Sequence, residues 1–263
     1  MDVRELVQGH YGGGNLSDAI LAALAQAGTD TDHLAPADLF PVDQLHAGGA
    51  KTTGHVLGRL DSGPGLRLLD VGCGIGGGSR MAAVSGAEVT GIDLTPDFVE
   101  AATELSAKVG LDDRTTFLAS PGESLPLEDD AFDAAFMIHV GMNIPDKGAV
   151  FAEVNRVLKP GGRFAVFEQM RTGDDDLTYP MPWAEDERSS FVETQEDYRV
   201  HLEAAGFDVE AVEDLTPLTM GSPPAGAVSP AVVFGPVFAQ RIGNNVAATR
   251  AGQLGAMLMM ARA

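Results

Sequence analysis

The chain has 263 residues, 44% of them hydrophobic, which is enough for one large domain with a buried core. Seventeen basic residues against 38 acidic ones give a net charge of −21, so the surface repels phosphate backbones and nucleic acid is excluded as an expected partner. No apolar run reaches the ~18 to 20 residues that a membrane helix needs, so no membrane partner is expected. The first residues lack an apolar signal core, and a single cysteine rules out a disulfide framework; a cytoplasmic location is expected.

The first 60 or so residues read as helices, an N-terminal cap over residues 1–62. "NLSDAILAALAQAG" places Ile20, Leu21 and Leu24 on one face, with Asn15 or Ser17 as cap and Gly28 after the end. A second helix is expected from about Gly49 to Leu60. From Leu66 the pattern alternates. "LRLLDV" is a nearly continuous apolar run, as in a strand buried on both faces. "SRMAAVSG" reads as a helix, "AEVTGIDL" as a strand, and "TPDFVEAATELSAKVG" as a helix entered through Pro96. "TTFLAS", "FDAAFMIHV" and "GRFAVFEQM" are further strands, with "DKGAVFAEVNRVLK" a helix before the last. A capping box, Thr194-x-x-Asp197, opens a helix near 194–205. "FDVEAVEDLT" and "GAMLMMARA" are two late strands. Such alternation predicts an α/β fold, with a mostly parallel sheet covered by helices. Nothing divides the chain, so residues 1–263 are expected to form one domain, with a lid insertion at about 171–193.

The loop after the first strand, "LLDVGCGIGGG", carries glycines at 72, 74, 76, 77 and 78. Such a loop lies where open α/β sheets bind ligands, and Asp93, about 20 residues on, sits where an acid grips ribose hydroxyls. Asp70 discriminates among nucleotide ligands. Beside a pyrophosphate, its charge would cost on the order of 1 to 4 kcal/mol at effective dielectrics of 80 to 20. S-adenosylmethionine has no phosphate and is net positive, so an acid at the entrance suits it. Asp70 also has a second reading compatible with the first, as a cap on the following helix.

Taken together, these motifs resemble the class I S-adenosylmethionine-dependent methyltransferases, in the small-molecule branch that includes ubiquinone/menaquinone-biosynthesis-like enzymes. The resemblance rests on "LLDVGCGIGGG", "VTGIDLTPDFVEAA", "ESLPLEDDAFDAAF" and "EVNRVLKPGGRFAVFE", in order. It implies a Rossmann-like seven-stranded sheet of order 3-2-1-4-5-7-6 with the last-placed strand antiparallel. The activity it implies is methyl transfer from S-adenosylmethionine, leaving S-adenosylhomocysteine, to O or N of a small-molecule acceptor. C- or S-methylation on the same scaffold is the alternative, as is a protein of this fold that binds the cofactor without transfer.

The implied cofactor residues are Asp70, Gly72, Gly74, Gly76 and Asp93, with Cys73 a small filler touching the cofactor through its backbone. Leu94 is expected against adenine; Phe98 is read either as an adenine cover or as helix core. "SPGES" departs from the family's usual acid, so Gly122 and Glu123 are taken as the adenine contacts; the alternative is a solvated Glu123, with adenine held by backbone alone. His139, at the end of the fourth strand, is the expected catalytic base or orienter, since a neutral imidazole accepts a proton near pH 7; its alternative is a cofactor contact through the backbone. Tyr11, His46, Asn143, Glu168, Tyr179 and Trp183 are candidate substrate contacts, with packing or capping roles as their alternatives. No histidine pair or acid cluster has metal-ligand spacing, so no metal is expected. The sequence carries no signal for an oligomeric state.

Overall fold

The computed structural model describes residues 16–220, 231–235 and 237–263. The cap comprises helix α1 (Leu16–Gln26), a 3-10 turn (Pro36–Leu39), the short α2 (Phe40–Asp43) and α3 (Ala50–Arg59). The 3-10 turn and α2 lie in a stretch that the periodicity did not resolve, broken by Pro36 and Pro41. The core runs β1 (Arg67–Val71), α4 (Gly77–Val84), β2 (Glu88–Asp93), α5 (Pro96–Lys108), β3 (Thr115–Ala119), β4 (Phe132–Ile138), α6 (Lys147–Val157) and β5 (Leu158–Arg171). Next come α7 (Gln195–Ala204), β6 (Asp208–Asp214), α8 (Thr216–Thr219), α9 (Ala231–Phe234), α10 (Phe238–Arg250) and β7 (Leu254–Arg262). Thr194 and Asp197 form the reciprocal cap of α7, whereas Asn15, one of the two caps expected for α1, lies outside the described residues.

The seven strands form one sheet of order β3-β2-β1-β4-β5-β7-β6, in which β7 runs antiparallel to both neighbours. Strand β5 starts earlier than its apolar pattern suggests, and its register against β4 jumps between Phe132 and Ala134. Alternation along the strands separates two cores. Leu69, Val71, Phe164, Val166 and Met170 face α6 and α7, while Leu68, Ala165 and Phe167 face α3 and α4. The cap helix α1 rests on α5, where Ile20 and Leu24 meet Phe98, Ala101 and Leu105. The chain winds from β1 outward to β3 and then returns to β4, so the ends of β1 and β4 diverge into a crevice. No described helix is long and apolar enough to cross a membrane.

Candidate active site

That crevice holds a cavity of about 580 Å³. Its floor is the turn after β1, where Gly72, Gly74 and Gly76 all take positive φ (75°, 53° and 83°). The amides of Gly72 and Cys73 donate to the Ile92 carbonyl at 2.7 and 2.9 Å, and Gly74 N–H donates to Asp93 Oδ2 at 2.8 Å. The first loop is thereby tied to the end of β2. The other Asp93 oxygen accepts from Thr95 N–H at 2.9 Å, and Leu94, Thr95 and Phe98 continue the wall. Gly74 lines the cavity, and a Cβ there would meet no protein atom within 4 Å.

Asp70 accepts a 2.6 Å hydrogen bond from Ser79 Oγ in the first turns of α4, so it anchors the helix while also lining the cavity. Burial pushes its carboxyl up to about 7, against the bond from Ser79, and the charge of Asp93 adds to the rise. Burial also raises Asp93. Two acids crowded into a low-dielectric floor favour a cationic ligand and oppose a phosphate.

A second layer ties the cap to this floor. Arg80 is fully buried; its guanidinium donates to Asp43 Oδ2 (2.9 and 3.3 Å), the Ile75 carbonyl (2.7 Å), the Ala102 carbonyl and Ser106 Oγ. Asp43 lines the cavity as well. The Gln44 amide donates to Asp43 Oδ1, which turns its carbonyl oxygen to accept from Thr53 Oγ at 2.6 Å. His46 Nε2 lies 2.9 Å from Thr53 Oγ, and its Nδ1 lies 3.3 Å from the Ala47 carbonyl. The Arg80–Asp43 pair is thereby linked through Gln44 and Thr53 to His46. A buried arginine in the otherwise small and apolar helix "GGSRMAAV" is the sequence signal for an acid partner that went unread.

His139 ends β4 with φ of 55°, an uncommon conformation for a residue other than glycine, and its amide donates to the Phe167 carbonyl at 2.8 Å. Its ring lies 5.6 Å from that of His46 and 4.9 Å from that of Phe167. Its Nε2 is buried without a hydrogen-bond partner among the described residues. Burial holds the His46 imidazole down at about 4, and it holds His139 well below its ordinary value with help from His46. Both rings are neutral at pH 7.

Asp70, Gly72, Cys73, Gly74, Asp93, Leu94, Phe98, Gly122, Glu123, His46, His139 and Asn143 are brought together on the cavity wall. Phe98 belongs to the α1–α5 core too, so its two readings coexist. Asn143 donates its amide to the Trp183 carbonyl at 2.7 Å, and the cap of α6 that it was weighed for is supplied by Asp146. Tyr11 lies outside the described residues.

Several other expected residues take places away from the cavity or pack against their neighbours. Gly76 does not reach the cavity; a Cβ there would press on Arg80, Phe117 and Ala102, so packing requires it. Gly78 lines the cavity in its place. The Cys73 amide donates to the Ile92 carbonyl on β2 and its carbonyl accepts from Gly76 N–H, while its side chain packs with Ala102 and Phe117. Glu168 lies on the opposite sheet face from Phe167, and its carboxylate turns away from the cavity to the amides of Val140 and Gly141. Trp183 and Tyr179 join Met142, Leu177, Met181 and Leu254 in a separate cluster, with the indole N–H donated to Ser190 Oγ at 2.9 Å. No residue of the expected lid, 171–193, lines the cavity. Among the described residues no three His, Cys, Asp or Glu side chains gather as metal ligands.

Comparison with known proteins agrees with this geometry. Residues 69–166 match the family described as "Methyltransferase domain". The chain is 32% identical over 192 residues to methyltransferase GfsG of Streptomyces halstedii, covering 72% of this chain and 69% of that one. It is 33% identical over 189 residues to the 27-O-demethylrifamycin SV methyltransferase of Amycolatopsis mediterranei, covering 68% and 67%. The sterol 4-C-methyltransferase strm-1 of Caenorhabditis elegans is 38% identical over 122 residues, 46% of this chain and about a third (36%) of that protein's length. Among solved structures, the [4+2]-cyclase SpnF superposes with a TM-score of 0.70 at 25% identity, over 99% of this chain and 95% of that one. A geranyl diphosphate methyltransferase solved with GPP and sinefungin gives 0.66 at 25% identity, over 80% and 76%. A floor with two acids and open glycines, joined to these matches, places the chain in the S-adenosylmethionine-dependent methyltransferases with the class I fold.

Proposed function

We propose that this enzyme methylates a hydroxyl oxygen of an uncharged, largely apolar small molecule, with His139 taking or orienting the hydroxyl proton. The observation that carries the reading is the half-buried, neutral imidazole of His139 on the cavity wall, whose Nε2 has no protein partner among the described residues. When bound, S-adenosylmethionine supplies a methyl on a sulfonium whose departure leaves a neutral thioether. Asp93 holds the ribose hydroxyls, Asp70 holds the amino-acid end with its cationic charge, and the Gly72–Gly74 turn lets the ligand approach the backbone. At the acceptor end, the hydroxyl oxygen forms the new C–O bond as the methyl–sulfur bond breaks, and its proton passes to the His139 imidazole. A nitrogen acceptor with a free lone pair needs no base, so the unpartnered imidazole favours oxygen.

The lining contributes Asp43, Asp70, Asp93, Glu123 and Asp146 and, among the described lining residues, neither lysine nor arginine. That balance argues against a phosphorylated acceptor such as the GPP bound by the geranyl diphosphate methyltransferase. C-methylation is the second reading, favoured by the similarity to the sterol 4-C-methyltransferase; there the same imidazole would take a proton from carbon.

The test is incubation with 13C-methyl-labelled cofactor and a panel of phenols, hydroxylated macrocycles, sterols and prenyl diphosphates, reading S-adenosylhomocysteine and the carbon spectrum of the product. A methoxy carbon supports the proposal, and a new C–CH3 carbon supports the second reading. Turnover on the diphosphates alone refutes both. With the preferred acceptor, His139→Ala should lower kcat by about 10²- to 10⁴-fold. Full activity of that variant at every pH would remove His139 from the chemistry.

A further inference from the structure

The proposed role of His139 depends on a backbone turn held from behind. One oxygen of Glu168, Oε1, accepts from both Val140 N–H (2.9 Å) and Gly141 N–H (2.8 Å). Glu168 is fully buried on the sheet face away from the cavity, so it cannot touch a ligand there. We infer that Glu168 is a positioning residue, whose grip on these two amides fixes the turn that aims His139 into the cavity. This rests on the role proposed for His139.

Four further observations converge on that turn. His139 itself sits at positive φ, an uncommon conformation for a residue other than glycine that persists only where the surroundings impose it. Gly141 is obligatory, because a Cβ there would overlap the Tyr198 hydroxyl. The Val140 side chain fills the space that a Cβ on Gly72 would need, so the same turn braces the cofactor loop. At the far end, buried Lys147 donates to the Ile144 carbonyl at 3.0 Å and the Phe191 carbonyl at 2.7 Å, and it pairs with Glu193 at 3.2 Å. The segment from His139 to Lys147 is thus pinned from beneath at both ends, first by an acceptor and then by a donor.

Burial pushes the Glu168 carboxyl up to about 8, so the side chain is mostly protonated at neutral pH and closely resembles glutamine. Only Oε1 is engaged; Oε2 is buried without a partner. One carbonyl-type oxygen is therefore what the turn requires, and glutamine provides it.

The experiment compares full-length wild type, Glu168→Ala and Glu168→Gln by NMR. The readouts are exchange of the Val140 and Gly141 amides and the titration of the His139 imidazole, followed by kcat with the acceptor found above. In Glu168→Ala the two amides should exchange at least about tenfold faster, as expected for a local opening made easier by about 1.4 kcal/mol, and the His139 ring should titrate closer to 6.5. Its kcat should fall by about 10- to 100-fold. Glu168→Gln should restore slow exchange and most of the rate. If Glu168→Ala does not fold, the wild type and Glu168→Gln decide: both must protect the two amides, and exchange at exposed-loop rates in either overturns the inference. Unchanged exchange and an unchanged His139 titration in a folded Glu168→Ala overturn it equally. A fully active His139→Ala would instead sink the role given to His139 and leave the exchange result standing.

Discussion

The imidazoles of His46 and His139 face each other at 5.6 Å, one carried by the cap and the other by the end of β4. The sequence separates them by more than ninety residues, and only closure of the cap over the sheet makes them neighbours. Each is kept neutral by burial, and a charge on one would oppose a charge on the other.

A neutral pair fixes the pH behaviour. At saturating cofactor, kcat/KM for the acceptor should show no inflection near the ordinary imidazole value of about 6.5. Stability follows the same sign. The unfolded chain binds protons on His46 and His139 that the folded chain refuses, so their stabilising share is complete above 6.5 and is lost as pH falls from 6.5 toward 4. A pH–rate profile with a clear step at 6.5 would contradict the assignment.

Asp70 should report ligand binding through a proton. Its carboxyl, held at about 7 in the structure, is largely protonated at pH 6.5, and a cationic ammonium beside it favours ionisation. Calorimetry of S-adenosylhomocysteine in buffers of different ionisation enthalpy should show release of most of one proton at pH 6.5. Asp70→Asn should abolish that release and weaken binding by about ten- to a hundredfold.

The glycines should separate by function. Gly74→Ala meets no protein neighbour, so it should lose about 1 to 2 kcal/mol to its positive φ and still fold, while cofactor affinity collapses. Gly76→Ala adds overlap with Phe117 and Arg80, and should be destabilised by about 1 to 3 kcal/mol beyond Gly74→Ala. Denaturant melts paired with calorimetry distinguish the two, and equal melts would refute the packing role of Gly76.

Trp183 should behave as an anchor. Trp183→Phe removes the bond to Ser190 and part of the packing against Leu177 and Met181, and should lower stability by about 1 to 3 kcal/mol. Acceptor KM and S-adenosylhomocysteine affinity should stay within about threefold, since a threefold change is only about 0.6 kcal/mol. A large shift in acceptor KM would return the indole to the acceptor wall.

Much of the fold was legible because each signal is local. The alternation of apolar strands with helices, Pro96 at a helix start and the Thr194–Asp197 box each act within a few residues. The cofactor half of the site was nearly as legible, because Asp70, Gly72, Gly74 and Asp93 sit on a single strand–turn–helix–strand unit whose geometry its own sequence dictates.

The acceptor half was legible only in part. His139 and His46 were visible as titratable residues, but their pairing and neutrality depend on closure of the cap, which buries both rings. Glu168 and Trp183 were misread for one reason. Both look like cavity chemistry in a linear string, yet strand parity turned Glu168 to the far face, and the cluster around Met142 claimed the indole.

By itself, then, the sequence determined the order of elements, the nucleotide-binding turn and the sign of charge its ligand must carry, since these follow from spacing and residue type within short segments. Tertiary structure alone decided that both imidazoles stay unprotonated, which glycine packs against its neighbours, and where each buried acid points. Those outcomes depend on desolvation and steric contact between residues far apart in the chain, and both quantities exist only after the layers have closed.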